Sequence, residues 1–368
     1  MMARRDFDKS PLLVFYEVTR ACDLVCLHCR ACAQAQPDPH ELDSEQSRAL
    51  IDRLAAFPEP PLLVITGGDP LKRADIFELI QHAVGRGLQT AITPSPTPLV
   101  TREAIQRLKE AGISRMAVSV DGADAETHDR MRGVFGSFTQ TRQIMAGARE
   151  CGIPMQVNTV LHPGNFDQIE AMAELLTHES IVLWSLFFVV PVGRAGAELR
   201  LTPEQHDQAF ERMWRLTQRV PFAIKTTEAM HYRRFVLQKR RQDADSGEVR
   251  LSARGWMNGL PGVNDGRGIM FLSHAGLIHP SGFLPIVCGM FPFNDPVEVY
   301  QRSPIFQRLR DANSFGGKCG VCEYRHVCGG SRARTYAVCG DPYAAEPDCS
   351  YIPSRWSGTT ASAVSPIP

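Results

Sequence analysis

The chain has 368 residues, 43% of them hydrophobic and 22% charged, which is enough apolar material to build a core without covalent staples. Forty basic residues balance forty acidic ones, so nothing in the charge advertises a nucleic-acid surface or a polybasic membrane face. No stretch is apolar for the roughly 18 residues a membrane helix needs, and residues 1–11, with Arg4 and Arg5 but no apolar run, read as a polar lead-in rather than an export signal.

Short apolar runs then alternate with helical stretches. Strands are expected at Leu12–Glu17, Leu62–Thr66, Leu88–Thr93, Arg115–Val120, Met155–Val160 and Ile181–Val189. Helices are expected at Ser44–Ala56, Ile76–Val84, Arg102–Ala111, Ser137–Cys151, Phe166–Leu176 and Pro203–Val220. Asp43, Thr101, Asn165 and Thr202 stand where N-caps belong, and Gly87, Gly112 and Gly152 stand just past helix ends. Such alternation argues an α/β fold with a parallel sheet, as a doubly wound sheet or a partial barrel. The polar run Gln238–Asp245 and the glycine-rich stretch Gly255–Gly268 mark a boundary. Beyond it come a hairpin around Gly276, a helix at Pro304–Ala312, and a small, polar tail (355–368) expected to be disordered.

The eleven cysteines fall mainly into two groups, with Cys151 and Cys288 apart as packed thiols. In a reducing cytoplasm, where the chain is expected to reside, metal ligation is the natural reading. Cys22, Cys26 and Cys29 form Cys-x3-Cys-x2-Cys in the loop after the first strand. A [4Fe–4S] cube normally takes four thiolates, so three leave one iron open to a ligand. Zinc is the alternative, with Cys32 or His28 completing a tetrahedral set.

The segment Glu17-Val-Thr-Arg-Ala-Cys-Asp-Leu-Val-Cys-Leu-His-Cys-Arg30 resembles the cluster loop of radical S-adenosylmethionine (SAM) enzymes. The resemblance implies a partial (β/α)6 TIM-like barrel over 12–245. It also implies that Cys22, Cys26 and Cys29 hold a [4Fe–4S] cluster, with Cys32 left as a non-ligand. SAM chelates the open iron and is reductively cleaved to a 5′-deoxyadenosyl radical, which abstracts a substrate hydrogen. Thr66-Gly-Gly-Asp-Pro70 resembles the family's Gly-Gly-Glu-Pro segment, so Gly67, Gly68, Asp69 and Pro70 are expected at the methionine amino group, with Asp69 one methylene shorter than the usual Glu. Ser119 and Asn158, at the ends of the fourth and fifth strands, are expected at the ribose and carboxylate of SAM. Pro191-Val-Gly-Arg-Ala195 resembles a segment near the adenine, and Arg132 is a candidate partner for a carboxylate.

Near the other end, Cys319-Gly-Val-Cys322-Glu-Tyr-Arg-His-Val-Cys328 is followed by Cys349 in Glu346-Pro-Asp-Cys-Ser350. This part (246–354) resembles the smaller C-terminal iron–sulfur domain called SPASM or twitch. The resemblance implies a second, auxiliary [4Fe–4S] cluster on Cys319, Cys322, Cys328 and Cys349, with Cys339 competing for the last place and Ser331 standing where some relatives have a cysteine. A zinc ribbon is the alternative.

Within the family the C-terminal segment is most like that of enzymes that process heme side chains. The expected function is therefore oxidative modification of a heme or tetrapyrrole-like cofactor precursor, with a flavodoxin or ferredoxin as reductant. A maturase acting on a ribosomally made peptide is the alternative, and a non-catalytic electron carrier or zinc-binding protein the third reading. No catalytic acid or base is identifiable from sequence.

Overall fold

The computed structural model describes residues 5–245 and 262–358. Its strands are β1 (Leu13–Glu17), β2 (Leu62–Thr66), β3 (Thr90–Ile92), β4 (Arg115–Ser119), β5 (Met155–Leu161), β6 (Leu183–Phe188), β7 (Ala223–Thr227), β8 (Ile269–Leu272), β9 (Leu277–His279) and β10 (Gly289–Met290). Among the described residues they form one ten-stranded sheet in the order β10-β9-β8-β1-β2-β3-β4-β5-β6-β7. Each neighbouring pair from β1 to β7 is parallel, whereas β8, β9 and β10 form an antiparallel meander. The helices are α1 (Ser44–Ala55), α2 (Ile76–Gly85), α3 (Arg102–Glu110), α4 (Ala125–Arg132), α5 (Ser137–Glu150), α6 (Ile169–Thr177), α7 (Pro203–Leu216), α8 (Tyr232–Asp245), α9 (Pro296–Arg302), α10 (Pro304–Arg310), α11 (Gly317–Val321) and α12 (Arg332–Cys339).

Local chemistry sets the helix starts. Asp43 and Gln46 close a capping box on α1, Thr202 and Gln205 another on α7, and Thr101 Oγ1 accepts from Ala104 N on α3. Asn165 departs from expectation. Its Nδ2 donates to Asp121 O and Val160 O, and its Oδ1 accepts from His162 N, so it ties two strand ends together instead of capping a helix. The parallel run is also longer than expected. Ala223-Ile-Lys-Thr-Thr227 is a further strand, with only Ile224 deeply buried, so its hydrophobic signal is weak. Helices α4, α8, α9 and α12 likewise went unforeseen, being short or rich in charge.

One face of the parallel strands packs on the helices through Val14, Tyr16, Leu63, Ile65, Met116, Val118, Val157, Trp184, Leu186 and Ile224. Alternate residues must therefore point to the opposite, inner face. The boundary expected at 245/246 borders residues 246–261, which lie outside the described residues. Past them, β8 pairs in parallel with β1, so the C-terminal segment begins as part of the same sheet. The tail beyond Gly358 and the first four residues of the lead-in also lie outside the described residues. The rest of the lead-in is packed rather than free: Phe7 is buried, its carbonyl accepts from Tyr300 Oη at 2.8 Å, and Arg310 pairs with Asp8 at 2.9 Å.

Candidate metal centres

Cys22, Cys26 and Cys29 follow β1, in the loop at its carboxyl end, where a parallel sheet gathers its chemistry. Cys22 and Cys26 are buried against Leu24 and Ala33, with Cys29 and Val134 packed alongside. Two sulfurs accept backbone amides, Cys22 Sγ from Leu24 N and Cys29 Sγ from Ala33 N, both at 3.4 Å. Arg132 brings Nη1 to 3.8 Å from Cys26 Sγ and pairs through Nη2 with Asp121 at 2.6 Å. Burial pushes the Cys22 and Cys26 thiols up, so a cation must compensate before both become thiolates.

Arginines hold this loop by its carbonyls. Arg20 donates from Nε to Ala31 O and from Nη2 to Cys32 O, both at 3.0 Å. Arg194 donates from N to Cys29 O at 3.0 Å, from Nε to Cys26 O at 3.0 Å and from Nη1 to Ala33 O at 3.1 Å. Gly193, at φ +67°, lies so close that a Cβ would stand 2.4 Å from Cys29 O. The Pro-Val-Gly-Arg segment, expected beside an adenine, thus clamps the cysteine loop, which its motif alone did not reveal. Glu17 adds a second tie, accepting from Arg30 Nη2 at 2.7 Å and meeting His274 Nδ1 at 2.7 Å.

The segment after β2 packs on the same loop. A Cβ on Gly67 would stand 2.3 Å from Thr19 O and one on Gly68 2.3 Å from Ala21 O, so both glycines are demanded by backbone approach. Asp69 is fully buried, and desolvation pushes its carboxyl up despite bonds from Thr97 Oγ1 at 2.6 Å, Leu71 N at 3.2 Å and Ser95 N at 3.3 Å. These bonds already occupy the carboxylate expected to meet an ammonium. Pro70 opens a short 3-10 turn (Pro70–Lys72). Ser95 donates to Gly68 O at 2.9 Å and lies 3.4 Å from Cys22 Sγ, so the Pro-Ser-Pro-Thr loop after β3 braces both motifs. Ser119 and Asn158 are register partners on β4 and β5, half-buried on the inner face.

In the C-terminal part, Cys319, Cys322, Cys328 and Cys349 line one partly open cavity, together with His231, Lys318, Tyr324 and Glu346; Cys339 is not in its lining. Cys328 Sγ accepts from Gly330 N at 3.4 Å and Cys319 Sγ from Glu346 N at 3.3 Å. Burial pushes the Cys349 thiol up to about 11 and the Cys328 thiol further. Behind the cavity, fully buried Arg334 pairs with Glu346 at 3.1 Å and Asp348 at 3.0 Å, and donates to the carbonyls of Phe188 and Val189 at the end of β6, both at 3.2 Å. Sequence reasoning missed this arginine, although two acids just before Cys349 and two arginines after Cys328 were the available signal. Ser331 is buried and hydrogen-bonds Glu228. Cys151 and Cys288 are half-buried at the edge of the main core.

Among the described residues, no three His, Cys, Asp or Glu side chains converge closely enough to hold a single metal ion. All eleven cysteines are free thiols. Buried polar atoms without partners flank both sets, His28 Nδ1 and Arg132 Nε at the first and His231 Nδ1 and Arg332 Nε at the second. The thiol donors and the unpartnered polar atoms around them fit iron–sulfur clusters at both places.

Residues 16–176 match the pattern of the Radical SAM superfamily. The chain is 35% identical to an AdoMet-dependent heme synthase of Oleidesulfovibrio alaskensis, over 96% of its own length and 91% of the relative's. The chain belongs to the radical SAM superfamily. This radical SAM enzyme is also 33% identical to an AdoMet-dependent heme synthase of Methanosarcina barkeri, over 94% of the chain and 98% of that protein. In fold it matches SuiB of Streptococcus suis bound to S-adenosylmethionine, with a TM-score of 0.72 at 15% identity, over 93% of this chain and 78% of the other. The α/β architecture is thus that of radical SAM partial barrels, and membership implies a [4Fe–4S] cluster and SAM. It also sets aside the non-catalytic readings of the chain as a whole. No helix among the described residues is long and apolar enough to cross a membrane.

Proposed function

We propose that this radical SAM enzyme oxidatively modifies a side chain of a heme or related tetrapyrrole precursor. The supporting observation is its near full-length identity to AdoMet-dependent heme synthases. In this reading Cys22, Cys26 and Cys29 hold the SAM-binding cluster. The Gly67–Pro70 segment, Ser119 and Asn158 cradle SAM, with Asp69 acting mainly by shaping the turn. The cluster and SAM, once bound, supply reductive cleavage to a 5′-deoxyadenosyl radical. The chain's own work is to orient both and exclude water, through buried Cys22, Cys26 and Leu24 and through the carbonyl clamps of Arg20 and Arg194.

Residues 12–245 form the radical core and 246–354 the auxiliary domain, whose Cys319, Cys322, Cys328 and Cys349 hold one [4Fe–4S] cluster. The cavity they share favours Cys349 over Cys339. Four protein thiolates leave no open iron and suit electron transfer. A flavodoxin or ferredoxin supplies electrons, and the setting is a reducing cytoplasm, without nucleic-acid or membrane partners.

The test uses anaerobically purified, reconstituted and reduced enzyme with SAM and an iron porphyrin bearing carboxylate side chains. Formation of 5′-deoxyadenosine together with an altered porphyrin, resolved by mass spectrometry, is the expected result. A fully iron-loaded protein that makes no 5′-deoxyadenosine overturns the radical reading. One that makes it while leaving every porphyrin unchanged overturns the substrate, and a peptide takes its place.

A further inference from the structure

The inner face carries a cation with no use in the site described so far. Register aligns Ser119 of β4 with Asn158 of β5, Asn158 with Ser185 of β6, and Ser185 with Lys225 of β7. Ile224 belongs to the helix-facing core, so Lys225 points the other way. These four residues make one polar row across neighbouring strands on the inner face. Lys225 lies two strand spacings from Asn158, roughly 10 Å, which is the separation of adjacent ligands rather than of groups on one ligand atom.

Lys225 is half-buried as a residue, and its ammonium is largely desolvated. Its electrostatic neighbours are both cations, Arg115 and Arg233, and among the described residues no carboxylate pairs with it. Arg233 points its guanidinium at the carbonyls of Val263 and Val327. Beside the row, Phe187 lies one pair further along β6 on the same face, register-matched to Thr227, and its ring meets that of Phe283 at 6.3 Å. An enclosed ammonium without a counter-charge is costly, and an aromatic wall next to it adds a flat apolar surface.

We propose that Lys225 is the residue that recognises the substrate's carboxylate, with Phe187 against the face of a planar ring. The inference rests on the tetrapyrrole reading above and deepens it: the substrate is a flat macrocycle carrying ionised carboxylates, docked at the β6–β7 end of the row while SAM takes the β4–β5 end. Burial and the two neighbouring arginines lower the proton affinity of Lys225, as expected of an ammonium awaiting an anion.

The test measures binding to the reconstituted full chain of two probes, coproporphyrin with free carboxylates and the same ring with carboxamides. Wild type is expected to bind the carboxylate form about tenfold or more tightly than the amide form. Lys225→Met is expected to remove that preference, and Lys225→Arg to keep most of it, with iron content and melting temperature read alongside. If wild type binds both forms equally, or Lys225→Met keeps the preference, the proposal is overturned while the tetrapyrrole reading stands. If wild type binds neither form, the tetrapyrrole reading falls too. Should Lys225→Met not fold, Lys225→Gln takes its place and is expected to lose the preference in the same way; a folded Lys225→Gln that keeps it overturns the proposal.

Discussion

The two cysteine regions position their thiols by different means. The first takes its three thiols from Cys22–Cys29 on one loop and shapes that loop by its carbonyls, through Arg20 and Arg194. The second takes four from Cys319–Cys349 and sets the last by a buried ion network, Arg334 with Glu346 and Asp348 around Cys349. Both regions thus carry buried ion pairs, Arg132 with Asp121 at the first and Arg334 with two carboxylates at the second, and the first adds the grip of Arg194 on three loop carbonyls.

The strongest way to break this comparison is at the ligands. Cys26→Ala is expected to abolish formation of 5′-deoxyadenosine, while Cys322→Ala loses porphyrin turnover more than SAM cleavage; equal behaviour of the two would erase the distinction between open and closed sets. Next comes Arg334→Leu, which strands buried Glu346 without its ion-pair partner and leaves Asp348 to Arg200. Loss of about 3–5 kcal/mol in denaturant unfolding is expected, with auxiliary iron lost before the first cluster's. Arg194→Ala removes only hydrogen bonds to carbonyls, and about 1–3 kcal/mol is expected, read mainly as faster iron loss from the first cluster. A change of iron retention at the second site instead would contradict the clamp.

The smallest effect is in pH. Lys225 is held down to about 8, chiefly by burial, then by Arg115 and Arg233. Below that pH the free protein carries the ammonium, so carboxylate binding is at full strength; above it, binding must recapture a proton and weakens. Ligand carboxylates remain ionised throughout, near their ordinary value of about 4. A titration of porphyrin binding should therefore fall from about pH 8 upward, and Lys225→Met should flatten it. For stability the sign is the reverse. The unfolded chain, with its lysine near 10.5, binds more protons between about 8 and 10.5, so this residue's contribution to stability rises with pH across that window.

Much of the molecule was legible from the chain alone where the signal is local. Alternating apolar runs placed β1, β2, β4 and β5 to within a residue, because period-two and helical patterns are written in adjacent residues. The capping residues Asp43, Thr101 and Thr202 were readable for the same reason, as was the close spacing of Cys22, Cys26 and Cys29. Asn165 misled, because its bonds run to Asp121 and Val160 on other strands rather than to its own helix.

What the chain determined by itself is therefore its alternation of strand and helix, the short-range thiol spacing and the family those motifs mark. Only the tertiary structure decided that β8 joins β1, that Arg194 grips a loop more than 160 positions earlier, that Cys349 rather than Cys339 shares the cavity, and that Lys225 stands in line with Asn158. Each of these depends on strand register and on charges brought together from distant positions. Pairing between far-apart segments is set by burial of whole faces, and no short window of sequence carries that information.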